Sequence, residues 1–470
     1  MIGKSENIRI TKNNIFFLSL VVLLVILIEL TIIRVAGEYA LFILSGINIA
    51  ILVAIVLSGS EFHLPMLLIV INLLPLIYLN QLFHYWIKWI ILQDIPLFIL
   101  SLLAIFKYAG YDKPFNFDLK YLRLPLIALT GYALFSMIVG IQNNNPKGFI
   151  ISEIYHFFYY SFSIVIFYLI KERKYYKYIF ISITVIAGLI AAEYLVIYKL
   201  LGWTRVVTFQ SGIFIIALSL IFAYLILKKP DFIKKSLFIG AFIFIFVGLI
   251  LTLTRSLWVS GFVAILSIIA LYLHLWKGVS KIKISAVIII ILLPVFIFGM
   301  RSSSKNIQRS TSNDIKYRTE SLANPTEDQS FLMRMELGYY IIMKFLESPI
   351  IGKGLGDTVK YKILSTSNLA VNYPDNSWLF VLWKGGIIGL LLFLWLYVRL
   401  FTQTYYVLKN TQNIEVKIMT LAILGSLAGL MVYSLFTAVL IKYKIDIILA
   451  IIIAYVEYER RELDVAPVNE

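Results

Sequence analysis

The chain contains no cysteine in 470 residues. Disulfides, thiolate nucleophiles and cysteine-based metal sites are therefore excluded. Only four histidines occur, His63, His84, His156 and His274, and their scatter offers no metal-ligand spacing. Charge is scarce as well: Asp, Glu, Lys and Arg make up 14% of the residues against 60% hydrophobic, with a mean hydropathy of +0.89. So few polar side chains cannot cover a water-facing surface, which rules out a soluble globular fold. Internal repeats and Pro/Gly-rich linkers are absent, so 1–470 reads as a single integral-membrane domain.

What the chain does have is long apolar runs. Each needs about 20 residues, at about 1.5 Å per residue, to cross roughly 30 Å of hydrocarbon. Such runs occur near 15–35, 39–58, 62–80, 89–107, 121–141, 156–170, 178–200, 206–227, 236–254, 256–276, 283–300, 377–400, 417–440 and 443–457. The expected fold is all-α: a polytopic integral-membrane bundle of about 12–14 transmembrane helices. The first run passes through Glu29 and Arg34 and lacks a small-residue cleavage site, so it reads as a span rather than a signal peptide.

Lysine and arginine set the expected orientation, because short cytoplasmic loops retain positive charge. Basic clusters at Lys4/Arg9/Lys12, Lys107/Lys113/Lys120/Arg123, Lys171/Arg173/Lys174/Lys177, Lys228/Lys229/Lys234/Lys235, Lys277/Lys281/Lys283 and Arg399/Lys409/Lys417 all fall on one side. That side is the cytoplasm. Both termini then lie inside, including a short polar 457–470 tail expected to fray, and residues 301–376 form one long extracytoplasmic loop. The net charge of +16 is spread over these loops. It reads as positive-inside bias and affinity for anionic membrane lipids, not as a nucleic-acid surface.

The loop is where chemistry is expected. Residues 301–329 are rich in Ser, Asn, Thr and Lys without an apolar period, whereas 330–349 read as an amphipathic helix entered through Thr326-Glu-Asp-Gln329 and ended by Pro349. On its wheel Phe331, Arg334, Leu337, Gly338, Ile341 and Phe345 share one face, and Met333, Glu336, Tyr340, Lys344 and Glu347 another. An arginine among apolar neighbours needs an anion, so Arg334 reads as an inward-facing clamp, with Gly338 one turn on leaving room beside it. The plainer alternative is a snorkelling or salt-bridged arginine.

Arg255, in Leu251-Thr-Leu-Thr-Arg255-Ser-Leu-Trp258, interrupts two spans with almost no loop between them. Arg205, in Gly202-Trp-Thr-Arg205, is a third arginine on the same expected side. Together they suit a pyrophosphate, since guanidinium forks match phosphate oxygens; an interfacial cap is the simpler reading of each. Asp375 and Asn376 sit at the mouth of the span beginning at Ser377. Asp375 is a candidate base toward an acceptor hydroxyl or, alternatively, a helix N-cap, with Glu336 and Asp357 as backup bases; Asn376 is a candidate substrate contact. Gly352-Lys-Gly354-Leu-Gly356 lacks the lysine and hydroxyl of a nucleotide-binding loop and reads as a tight extracellular turn. Lys384-Gly385-Gly386 and Gly389 read as a close helix-packing site, and Glu29, Asp94 and Glu193 as intramembrane carboxylates of a possible ion path.

Taken together, Thr254-Arg255-Ser-Leu-Trp258, Arg334 on its helix, Pro349-Ile-Ile-Gly352-Lys-Gly354-Leu-Gly356 and Asp375-Asn376-Ser-Trp-Leu-Phe380 with Lys384-Gly-Gly-Ile-Ile-Gly389 resemble the O-antigen ligase and O-antigen polymerase superfamily. The resemblance covers roughly residues 245–400. It implies a C-type glycosyltransferase fold in the cytoplasmic membrane and metal-independent, cofactor-free, inverting transfer. The implied donor is an undecaprenyl-pyrophosphate-linked glycan, and the acceptor another glycan or a lipid-linked sugar. It also implies that Arg255 and Arg334 hold the donor pyrophosphate. In ligases the position before the asparagine is typically histidine. Here it is Asp375, which favours a polymerase of surface-polysaccharide repeats over a ligase. The reading from another class is a flippase or transporter of lipid-linked oligosaccharide, for which repeated halves and midplane charges would be expected.

Overall fold

The computed structural model describes residues 119–170, 172–201, 211–228, 230–276, 329–363, 367–442 and 445–465. The four expected spans between 15 and 107, the span at 283–300, Arg205, Glu29, Asp94, the side chain of Glu193 and the 301–328 part of the loop lie outside them. The described residues form helices α1 (Arg123–Gln142), α2 (Lys147–Leu169), α3 (Arg173–Leu201), α4 (Ile213–Leu227), α5 (Phe232–Leu251), α6 (Arg255–Leu275) and α7 (Gln329–Leu346). A two-stranded ribbon follows, β1 (Val359–Ile363) and β2 (Ser367–Val371), then α8 (Ser377–Asn410), α9 (Ile414–Ser434), the short α10 (Val439–Lys442) and α11 (Ile445–Val465).

Among the described residues seven helices, α1, α2, α3, α5, α6, α8 and α9, are long and apolar enough to span a bilayer. The expected polytopic helical membrane fold is therefore present. Helices α4 and α9 are buried almost all round, as their uniformly apolar sequences require. Gly425 and Gly429 of α9 bring it against the Ala264 and Ser260 carbonyls of α6, the close approach that small residues permit between apolar helices. The ribbon was not expected from the sequence. It is antiparallel, with Val359 opposite Val371 and Ile363 opposite Ser367.

The two ends of the bundle differ in chemistry. At one end Arg173 holds Glu459 through two bonds of 2.7 and 2.8 Å, Lys177 meets Glu415 at 2.7 Å and Lys120 meets Asp464 at 3.0 Å. The Glu457 carboxylate accepts the Tyr121 and Leu122 amides at 3.1 Å. Residues 457–465 are thus not a frayed tail: α11 continues to Val465, and its buried carboxylates fasten the entrances of α1 and α3.

At the other end α8 is broken. Gly386 has φ 61° and ψ −164°, which interrupts the i→i−4 ladder and leaves carbonyls and amides exposed within a span. Residues 349–355 fill the gap with main chain. Lys353 and Gly354 donate to the Trp383 and Lys384 carbonyls at 3.0 Å, and the Ile387 and Ile388 amides donate to the Pro349 and Ile350 carbonyls at 2.9 and 3.3 Å. From α1, the Tyr132 hydroxyl donates to the Gly385 carbonyl at 2.8 Å and Ser136 Oγ to the Lys384 carbonyl at 3.0 Å. The Trp383, Lys384 and Gly385 carbonyls and the Ile387 and Ile388 amides at the break thus have protein partners, as buried main-chain groups require.

The Gly352–Gly356 segment is accordingly not an exposed turn but a buried insert between α1 and α8, and Lys384-Gly385-Gly386 is a backbone break rather than a packing notch. A Cβ on Gly386 would overlap the Ile350 carbonyl and one on Gly352 the Lys384 carbonyl. Gly386→Ala, which also forces alanine to a positive φ, should lower stability by about 2 kcal/mol or more; thermal unfolding in detergent measures it.

Candidate functional site

Helix α7 packs one face on α8 and β1. Leu337, Ile341, Val359 and Trp383 form the cluster, with Leu379 and Val371 against it, and Gly338 faces Leu379. This is the face assigned from the helical wheel. Arg334 lies at its upper edge, where Nε donates to Asp375 Oδ2 at 3.1 Å. The arginine side chain is 36% exposed and the aspartate 53%. A pair this open contributes about 0.2–1 kcal/mol to stability, too little to account for it as a fold-holding contact. The Arg334 Nη groups and Asp375 Oδ1 hydrogen-bond to none of the described residues.

The helix cap falls to Asn376 instead of Asp375. Its side-chain oxygen accepts the Trp378 and Leu379 amides at 2.8 and 2.9 Å, and its amide donates to the Leu435 carbonyl at 2.9 Å, fastening α8 to the end of α9. Capping of this kind is worth about 0.5–2 kcal/mol. Asn376→Ala should therefore cost about 0.5–2 kcal/mol of stability, read as a lower midpoint of thermal unfolding, while Asp375 and Arg334 remain paired. Asp375, freed from capping, is held among the described residues by Arg334 alone.

Arg255 is the first residue of α6, just after Leu253, whose φ of 48° is unusual for a non-glycine residue. The turn is tied by Thr252, whose Oγ1 donates to the Leu249 carbonyl at 2.7 Å, and by the Trp258 indole donating to the same carbonyl at 3.2 Å. Because α6 and α9 meet at Ser260 and Gly429 and run antiparallel, Arg255 lies toward the Ser434 end of α9. That is the end joined to Asn376 through Leu435, and Tyr433 on it is within electrostatic reach of both Arg334 and Asp375. Arg255, Arg334, Asp375 and Asn376 therefore share one end of the bundle. Arg205 lies outside the described residues.

Beneath this end sits a pair of buried charges that the sequence reading passed over. Lys384 Nζ is 3.0 Å from Glu153 Oε1, with side chains 1% and 0% exposed. Glu153 Oε2 accepts the Gly356 amide at 2.7 Å, its other oxygen accepts Asn372 Nδ2 at 3.4 Å, and Lys384 also donates to the Asp357 carbonyl. The Asp357 carboxylate accepts the Trp383 indole at 2.9 Å, so this backup base is engaged in structure. Glu153 thus knits α2, the inserted segment, α8 and the strand exit three residues before Asp375. The signal that could have found it was an isolated Lys and an isolated Glu within apolar spans, where charges persist only when paired. Nearby, His156 Nδ1 lies 2.7 Å from Asp446 Oδ2, and its ring meets Tyr373 edge-on at 6.1 Å. Tyr373 in turn stacks on Phe380 at 5.1 Å, bracing the Tyr373-Pro-Asp375 turn from below.

Residues 240–394 match the O-antigen ligase family. The chain carries an O-antigen ligase domain. That match, over about a third of the chain, supports a place in the O-antigen ligase and polymerase superfamily and, with the seven spans, a multi-pass membrane protein of glycosyl-transferring kind. Among curated proteins none matches the chain. The O-antigen ligase domain contains Arg255, Arg334, Asp375, Asn376, Lys384 and the Gly386 break, while Arg205 and Glu153 fall before it.

Proposed function

We propose that this protein is an inverting, metal-independent glycan polymerase of the cytoplasmic membrane, using an undecaprenyl-pyrophosphate-linked donor on the outer face. The observation that carries the reading is the Arg334–Asp375 pair at an open edge of the O-antigen ligase domain, with Arg334 oriented through Nε and both Nη groups left to receive an anion.

In the proposed step an acceptor sugar hydroxyl attacks the anomeric carbon of the donor glycan. The new C–O bond forms as the bond to the pyrophosphate oxygen breaks, the acceptor proton goes to Asp375 Oδ1, and undecaprenyl pyrophosphate leaves carrying the charge. No nucleotide is needed, because the bond being broken already supplies the driving force. Arg334 and Arg255, supported by Arg205, stabilise the charge that grows on the leaving group, the preorganised electrostatic role that is usually the largest catalytic contribution. Asn376 keeps Asp375 at the rim by holding the helix start. Asp375, standing where ligases typically have histidine, favours repeat-unit polymerisation over ligation to a lipid core.

The test is reconstitution of the purified protein with an undecaprenyl-pyrophosphate-linked oligosaccharide. Lengthening of the chains, with release of undecaprenyl pyrophosphate in equal amount, is the expected result. Transbilayer movement at constant chain length would instead establish a flippase, and transfer only to a lipid-core acceptor would establish a ligase.

A further inference from the structure

We propose that α7 and the tip that follows it form a re-entrant element immersed in the site-side leaflet of the bilayer, with lipid acyl chains as the occupant of its outer face. The inference rests on the membrane fold and not on the pyrophosphate clamp.

Three observations carry it. The first is register. Arg334 meets Asp375, Gly338 meets Leu379, Ile341 shares a cluster with Trp383, and the Ile350 carbonyl accepts the Ile388 amide, so α7 runs parallel to the start of α8. From Ser377 to Ile387 is about 15 Å of helix, so α7 descends by that much beside a membrane span.

The second is depth. The Tyr132 hydroxyl donates to the Ile351 carbonyl at 3.4 Å and to the Gly385 carbonyl at 2.8 Å. Tyr132 lies in the middle of the Arg123–Gln142 span, ten residues before its end. The Pro349–Ile351 tip is thus well below Ile138 and Ile141, which are themselves exposed apolar side chains of that span. Irregular backbone at such depth is tolerated only where protein satisfies it, and the broken helix does so on the tip's inner side.

The third is what the outer side presents. Tyr339, Ile342 and Leu346 recur at helical spacing on the face of α7 turned away from α8, at 59%, 45% and 60% exposure. Glu347, which pairs with Lys353 at 2.6 Å, lies beside the stripe on the neighbouring side of the helix; past it the apolar surface resumes at Ile350, 62% exposed, and crosses the main-chain junction to Ile387 and Leu391 on α8. It is therefore continuous with the lipid-facing surface of a span, and an apolar patch of this extent suits lipid and not water. Helix α7 thus has three faces, one apolar for protein, one apolar for lipid and a polar one carrying Glu336, Lys344 and Glu347, with Arg334 at its upper end.

The cysteine-free chain makes the test direct. Ile342→Cys and Ile350→Cys, with Lys360→Cys on the ribbon as the aqueous reference, are each labelled with bimane. The labelled proteins are reconstituted in phosphatidylethanolamine/phosphatidylglycerol vesicles. Quenching by an acyl-chain nitroxide lipid should be several-fold stronger at 342 and 350 than at 360, and quenching by iodide should show the reverse order. Iodide access at 350 equal to that at 360 would overturn the proposal. Protection of 342 and 350 from both quenchers would overturn it too, by showing that another part of the chain covers the stripe. Neither readout needs enzymatic activity, so failure here is distinct from failure of the polymerase reading.

Discussion

Arg334→Ala should lower glycan transfer by about 10²–10³-fold, the loss typical of removing one preorganised donor to developing negative charge. The exposed pair it forms with Asp375 stabilises the fold so little that the variant should insert and unfold like the parent, within about 1 kcal/mol. Arg334→Lys keeps the charge but loses the planar fork that lets one face hold Asp375 while the other meets phosphate, so it should recover only part of the rate. Asp375→Asn tests the other half of the pair. It removes the proton acceptor while retaining a hydrogen-bonding side chain, so turnover should fall by roughly 10²–10⁴-fold with donor binding little changed. Transfer measured at varied donor concentration separates these outcomes. Full-length polymer from Arg334→Ala would end the clamp assignment, and unaltered turnover in Asp375→Asn would reduce that carboxylate to an orienting partner of Arg334.

The second large effect is on the fold. Lys384→Met leaves the Glu153 carboxylate buried without its counter-charge, and breaking a buried pair from one side costs about 3–5 kcal/mol. The Asp357 carbonyl and the inserted segment lose an anchor in the same step. The expected result is a marked drop in the unfolding midpoint in detergent and in the yield of inserted protein. Lys384→Met combined with Glu153→Leu should recover most of the loss, because no uncompensated charge remains. It should still fall short of the parent, because the Gly356 amide then lacks an acceptor and a buried unsatisfied donor costs about 1–3 kcal/mol. A double variant no better than the single one would mean that the pair holds the insert by geometry and not by charge balance.

The parts of this architecture that were legible in the sequence are those governed by length and period. Apolar runs long enough to cross a bilayer reveal themselves without neighbours, and the recurrence of Leu337 and Ile341 placed Arg334 on the inward face of its helix. The parts that were not legible depend on which main-chain groups meet. Gly385-Gly386 reads identically whether it packs a neighbouring helix or breaks its own, and only the positive φ of Gly386 distinguishes the two. Asp375 and Asn376 are equally good caps by residue type; the geometry of the Pro374 turn gives the cap to Asn376. The ribbon was hidden because Val359-Lys-Tyr-Lys-Ile363 is a short alternating stretch whose partner lacks the same pattern. Glu457 looked like the start of a polar tail because its partners are backbone amides of Tyr121 and Leu122, which leave no mark in side-chain identity.

The break in α8 also constrains how the protein is made. A span whose ladder is interrupted at Gly386 cannot settle alone in hydrocarbon, since its orphaned amides and carbonyls would have no acceptors or donors there. Its complement, Pro349 to Leu355, precedes it in the chain, and the flanking hydroxyls of Tyr132 and Ser136 are earlier still. Biosynthesis from the N-terminus therefore delivers the patch before the gap, so the Ser377–Asn410 span leaves the ribosome with its complement already in place.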